Sequence, residues 1–167
     1  PSGNNDANIL VIGTEVSDRI KSEQLTQATG ELLLALAEAT ALLLAAPEFD
    51  SGMQGALQRI GAALPIDRIQ VIEHRAAAVD GQARTTQRCV WTASTASASP
   101  TAEPEEFFAA PGFSRLVAQL RQGVEVTGRD ADFDEAIQDL LRAQGVRAIY
   151  ALPIQATGEF WGFVSFE

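Results

Sequence analysis

Cysteine is almost missing from this 167-residue chain: Cys89 stands alone, so no intrachain disulfide can form. Histidine is as scarce. One Cys and one His (His74) cannot fill the four-ligand set of a structural zinc site, so no metal is expected. Lys21 is the only lysine, and 12 basic residues stand against 22 acidic ones, a net charge of −10. A surface so negative repels phosphate backbones, which argues against nucleic-acid partners. No basic segment followed by an apolar run marks a secretory signal within the chain. The longest apolar stretch, Leu32 to Ala46, is about 15 residues with Glu38 in its middle, short of the ~20 that a membrane span needs. It reads as a soluble helix without membrane contact, in a cytoplasmic protein.

What is present is globular: 46% hydrophobic and 20% charged residues, with a mean hydropathy of +0.03, enough apolar material for one buried core. The start at Pro1-Ser2-Gly3 without Met, and the stop at Glu167 after an alternating apolar stretch, read as a piece of a longer protein. Residues 1–21 are polar apart from Ile9 to Gly13 and are expected to form an extension or linker, partly disordered, with that run a short strand or a remnant. The folded domain is expected over 22–167. It opens with a helix over 22–46, closed by Pro47. Leu25, Thr29, Leu32, Leu36, Ala39, Leu43 and Ala46 recur there at spacings of three and four, a heptad-like stripe. Leu33, Ala37, Thr40 and Leu44 form a second stripe beside it. Either both stripes enter one core, or one meets a partner helix. The second arrangement predicts a homodimer through Leu25, Leu32, Leu36, Ala39 and Leu43.

Asp50 or Ser51 is placed to cap a second helix that Pro65 ends, with Leu57, Ile60, Gly61 and Leu64 on one face. Strands follow at 68–75 and 84–92, turning at Asp80-Gly81. Residues 93–112 read as a long loop that is mobile or covers a site, and its Glu103, Glu105 and Glu106 as solvated charges or an acidic flap that selects against anionic ligands. A helix from Phe113 to Gln122 and a brief strand at 124–126 come next. Asp132-Phe133-Asp134-Glu135 is placed as a capping box for a helix to Ala143. The chain closes with a hairpin about Thr157-Gly158, with Phe160, Gly162, Val164 and Phe166 on one face and Trp161 and Phe163 on the other. Pro153 removes a ladder donor and belongs at an edge, a bulge or a non-bonded position. Gly162 is placed where an aromatic neighbour or a helix comes close. Short connections between strands predict an antiparallel sheet with helices packed on it, an α+β fold.

These segments carry a family likeness. Ala63 to Ile72, with its Asp67-Arg68 pair opening an apolar strand, resembles the entry to the first strand of GAF domains. Val90-Trp91-Thr92 and Leu120 to Val126 are similar to two further passages of that family. Gly145 to Ile154, followed by Gly158 to Val164, resembles its closing hairpin most specifically. The likeness covers residues 31–167 and implies a small-molecule-sensing regulatory module of bacterial signalling proteins, whose parent carries an output domain such as a histidine kinase or a cyclic-dinucleotide enzyme. It also implies a pocket between the sheet and the segment from Phe107 to Ile137. Candidate lining residues are Trp91, Phe113, Leu116, Val117, Leu120, Phe133, Ile137 and Tyr150. The same residues would equally make a closed core. The Trp91 N–H and the Tyr150 hydroxyl separate the readings, because a dry core must find partners for both.

Catalytic patterns are lacking. A Ser–His–Asp or Cys–His arrangement must use His74, which alternates with charged residues near a strand end and reads as structural. Cys89, between Arg88 and Val90, reads as a small buried hydrophobe, with Arg88 on the other strand face. The methionine-sulfoxide-reducing relatives use several cysteines. Bilin-binding relatives attach the chromophore through a Cys in the helix after the long loop, and Phe113 to Ala118 contains none, so no covalent bilin and no cofactor is expected. Cyclic-nucleotide binders share an Asn-Lys pair followed later by Phe and Asp-Glu. Phe133-Asp134-Glu135 echoes only the end of that pattern, with Lys21 far upstream. Asp130, Asp132 and Asp134 have calcium-loop spacing, but Glu135 and Leu141 stand where Gly and a bidentate Glu are needed. The expectation is a non-enzymatic sensory or regulatory domain that binds a small ligand, dimerises, or both. The alternatives are a ligand-free dimerising spacer and a thiol enzyme using Cys89.

Overall fold

Ile9, Ile12, Val16 and Ile20 recur at helical spacings, and no proline intervenes between Pro1 and Pro47. The computed structural model describes residues 5–75, 84–94, 96, 108 and 111–167, with side chains from Glu23 onward except those of Arg75, Arg84 and Pro111. In it, helix α1 runs unbroken over Asn5–Ala45, 41 residues. It begins well before Ser22, so Ile9 to Gly13 is helix rather than strand. Helix α2 (Phe49–Ala63) starts after an extended Glu48 that makes no side-chain cap bond. Neither expected cap serves: the Asp50 carboxylate accepts from Arg88 at 2.8 Å, and the Ser51 hydroxyl donates to the Glu48 carbonyl at 2.9 Å. Small residues seat α1 on α2. Ala35 and Ala39 are buried there, and a Cβ on Gly52 would stand 2.7 Å from Ala46 Cβ and 3.3 Å from Leu43 Cα. The axes therefore run close, with an ion pair between Glu38 and Arg59 beside the seam.

Strands β1 (Arg68–Arg75), β2 (Arg84–Thr92), β3 (Val126–Arg129), β4 (Ala148–Ala156) and β5 (Glu159–Phe166) form one antiparallel sheet, ordered β2-β1-β5-β4-β3. α2 packs on one face, chiefly over β2. Helices α3 (Pro111–Arg121) and α4 (Glu135–Ala143) cover the other. Pro153 lies beyond the last β3 partner pair, Val126↔Ala151, so β4 is a sheet edge there and the missing N–H breaks no ladder to β3.

Two bulges reset the pleat. One places Arg88 as an extra residue of β2 opposite Val71/Ile72. The other places Trp161 as an extra residue of β5 opposite Ile154/Gln155. The second changes the parity of the hairpin: Phe160 joins Phe163 under α3 and α4, while Trp161 joins Val164 and Phe166 under α2. Strict alternation, which grouped Trp161 with Phe163, fails at that residue. Gly162, beside the bulge, abuts backbone rather than an aromatic ring or a helix. A Cβ there would sit far inside contact with the Ile72 carbonyl oxygen.

On the α3/α4 side, β3 starts at Val126, two residues later than the strand expected from Val124. Asp134, not Asp132, caps α4, accepting from the Ile137 N–H at 3.2 Å. The Asp132 carboxylate instead accepts from Arg129 N–H at 2.8 Å, closing the short 3-10 turn Asp130–Asp132. The turn expected at Asp80-Gly81, most of the loop expected over 93–112, and Phe107 lie outside the described residues.

Candidate functional site

Six of the eight candidate pocket residues come together. Phe113, Leu116, Val117, Leu120 and Ile137 are buried in one cluster with Ile72, Ile149 and Phe163, and Phe133 packs against it. Amphipathic spacing turns these side chains of α3 and α4 onto the sheet, where they fill the space between the layers.

Trp91 and Tyr150 do not join them. Trp91 lies on the α2 face, where its ring rests flat on Gly61, so that a Cβ on that glycine would be 2.6 Å from the indole Cζ3. Tyr150 alternates with the buried Ile149 and Ala151 and so faces the same side as Phe166, 40% exposed. Its hydroxyl donates to the Glu125 carboxylate at 2.9 Å, and that bond, with lesser burial and charge effects, raises the phenol above its ordinary value. Strand parity decides both positions.

A groove the sequence did not disclose opens on the α2 face. It measures about 370 Å³ and is lined by Phe49, Met53, Glu73, Arg88, Ile154 and Trp161. Phe49 and Trp161 meet edge to face at 6.2 Å. The β2 bulge turns Arg88 to this side, with its guanidinium 5.9 Å over the Phe49 ring, bonded to Glu73 at 3.0 Å and Asp50 at 2.8 Å. Arg88 therefore shares the face of Cys89, contrary to simple alternation, and ties α2 to β1. No pattern in the sequence hinted at this, because bulges leave no periodic mark.

The two nucleophile candidates are poorly placed for chemistry. Cys89 is buried beside Asp50; desolvation, then the Asp50 charge, pushes its thiol up despite Arg88. A raised thiol pKa leaves little thiolate at neutral pH. His74 is half-buried, its Nδ1 2.8 Å from the Thr85 hydroxyl and its ring between Phe113 and Phe160 at 6.4 and 6.2 Å. Burial, then the positive charge of Arg121, lowers its pKa. Among the described residues no three His, Cys, Asp or Glu side chains converge on a metal position.

Among the described residues, α1 carries most of the exposed large hydrophobic side chains. Of the five expected interface residues, Leu25, Leu36 and Leu43 are exposed, Leu32 is half-buried, and Ala39 is 2% exposed under α2. Leu33 and Leu44, assigned to the second stripe, are 62% and 84% exposed. The docked edge is thus the small-residue line of Ala35 and Ala39. Most of the leucines are exposed.

No family model matches the chain. It is 28% identical over 139 residues to the methanogenesis regulatory histidine kinase FilI of Methanothrix harundinacea, a match taking in 81% of this chain and 15% of that protein. The chain thus spans a small fraction of the relative's length. Among solved structures it is similar to the phycocyanobilin-bound GAF domain of a cyanobacterial phytochrome, at a TM-score of 0.59 and 17% identity over 81% of this chain and 78% of that one. It is also similar to the GAF domain of a phosphoenolpyruvate-protein phosphotransferase from Coxiella burnetii, at 0.53 and 15% over 81% and 76%. The fold is that of a GAF domain.

Proposed function

We propose, from the GAF fold and the outward leucine face of α1, that this chain is a non-enzymatic regulatory module that pairs with a second copy of itself. In this reading it belongs to a signal-transduction protein and works in the cytoplasm. The observation that carries the proposal is that face. Leu33, Leu36, Leu43 and Leu44 stand together on a helix whose other edge is already seated on α2. Fully burying a leucine contributes about 1.5–3 kcal/mol, so a few such residues paired across two helices suffice for micromolar association. Regulation would follow from two packings of the paired helices whose populations a signal shifts.

A membrane is the competing cover. Glu23–Ala45 is long and apolar enough to cross one, with a mean hydropathy of 1.6. Glu31 and Glu38 fall within it, and insertion would strip α1 from α2 and break the Glu38–Arg59 pair. A second copy covers the leucines without that loss.

The similarity to regulatory histidine kinase FilI supports a kinase as the output domain. A covalent bilin does not fit these residues: the sole cysteine lies on β2 under α2, and α3 has none. The dense packing of Phe113, Leu116, Val117, Leu120 and Ile137 favours a module that works without a ligand between the helices and the sheet. Sedimentation equilibrium tests the pairing: a wild-type dimer at high micromolar concentration, with Leu36→Glu and Leu44→Glu monomeric. A monomeric wild type ends this reading, and retention of dimers by both variants moves the interface elsewhere.

A further inference from the structure

A second cleft, of about 510 Å³, opens where the start of β1, the end of β5 and the turn from α4 to β4 meet. Its wall includes Arg68, which is only 7% exposed. The Arg68 Nε and Nη2 bond the Glu167 carboxylate, and Nη2 also donates to the Gln144 carbonyl at 3.2 Å. Glu167 is further bonded by Gln70 Nε2 at 2.9 Å and the Ser165 hydroxyl at 3.0 Å. Its oxygens are therefore saturated from within the protein.

Nη1 of Arg68 is different. None of these bonds uses it, yet no side-chain nitrogen or oxygen among the described residues is both buried and unpartnered. Nη1 is therefore not fully buried, and its residue lines the cleft. Arg147 stands exposed on the same wall without an ion-pair partner. Arg142, also on the wall, faces Asp130 at 3.6 Å. Three of the chain's 12 basic residues thus converge on one depression of a protein whose net charge is −10.

We propose that this cleft binds a small organic carboxylate, held by Arg68 Nη1 and the Arg147 guanidinium. A guanidinium edge matches a planar carboxylate, and a buried cation with an unused donor can take one. Asp67, Asp130 and Glu167 also line the cleft, and their charge disfavours a doubly charged phosphate. Thr92, Val146 and Ala148 offer a short mixed wall for the body of the molecule. The site deepens the regulatory reading above by naming a ligand class. It rests on that reading only for its purpose. Arg68 joins the end of β5 to the end of α4 through Glu167 and Gln144, so occupancy bears on both elements at once.

The test is a titration of the ¹⁵N-labelled 167-residue chain with sodium propionate, compared with sodium phosphate and sodium chloride at matched ionic strength. Saturable amide shifts at Arg68 and at residues 145–148 are expected with propionate alone. Arg147→Gln should weaken binding roughly tenfold, as loss of one charge-assisted pair does. Arg115→Gln, an exposed arginine paired with Asp134 on another face, should leave it unchanged. Shifts that fail to saturate, that chloride reproduces, or that Arg147→Gln leaves intact would overturn the site. Phosphate binding as tight as propionate would overturn the carboxylate assignment. The same titration on the Leu36→Glu variant separates the two proposals: saturable binding there supports the site whatever the outcome for pairing, and its loss in a folded variant overturns it as a property of the single domain.

Discussion

Replacing Gly162 with alanine probes the tightest backbone contact of the sheet. The new Cβ would lie inside the Ile72 carbonyl oxygen and 3.0 Å from Glu73 Cα. Paired strands sit about 4.8 Å apart, and a carbon meets a carbonyl oxygen comfortably only near 3.3 Å or beyond. To make room, β5 must move off β1 by roughly an ångström at the Glu73↔Gly162 pair. β5 is the middle strand, so the shift strains its ladder to β1 and drags the fully buried Phe163 and Ile72 apart. Overpacking of this kind costs about 1–3 kcal/mol, and each compromised buried backbone bond about 1 more. A total of about 3–5 kcal/mol follows, a large share of a typical domain's stability of roughly 5–15 kcal/mol. Urea denaturation followed by circular dichroism measures it directly, and the melting temperature should fall by roughly 10 °C. Gly158→Ala is the matched control: Gly158 sits at φ +84 with open space around it, so alanine there meets backbone strain of about 1–2 kcal/mol and no clash. If Gly162→Ala destabilises no more than Gly158→Ala, the close approach of β1 and β5 is wrong.

Two further outcomes are expected. His74 is held below its usual pKa by burial and by Arg121, so the unfolded chain takes up the proton first as pH falls. Its contribution is therefore complete above about pH 6.5 and is lost as pH drops from there toward the lowered folded value. Urea midpoints from pH 7.5 to 5 should decline more steeply for the wild type than for His74→Gln, and parallel curves would remove His74 as the cause. Asp134→Ala should destabilise α4 by about 1 kcal/mol through loss of its cap, whereas Asp134→Asn, which can still accept from Ile137 N–H, should retain most of it by the same measurement.

The order of elements was legible because each has a periodicity of its own, interrupted at Pro47, Pro65, Gly123 and Gly145. The buried faces of α3 and α4 were legible for the same reason. Four features were not. The bulge at Trp161 adds one residue without altering hydrophobicity, so alternation placed Trp161 and Phe163 on one face when they lie on opposite ones. Tyr150 was misplaced against parity: it sits between two core residues and so points away from them. In α1 the larger side chains drew attention from the smaller. Alanine and glycine contribute little apolar area, but they let two helices approach, and that closeness put Ala35 and Ala39 inside and left the leucines out. The Arg68–Glu167 pairing joins residues at opposite ends of the domain, and no local pattern in a sequence encodes such a partner.

The seating of α1 also sets a mechanical gain. α1 meets the domain chiefly through α2, along the stretch marked by Ala35 and Ala39. From Ala39 back to Asn5 the helix rises roughly 50 Å at 1.5 Å per residue. Each degree of tilt at the seat therefore carries the far end through about 1 Å. The seat is built from alanine and glycine, whose shallow ridges resist sliding less than interdigitated leucines do. A tilt of a few degrees at the seat would thus become a movement of several ångströms at the far end of α1.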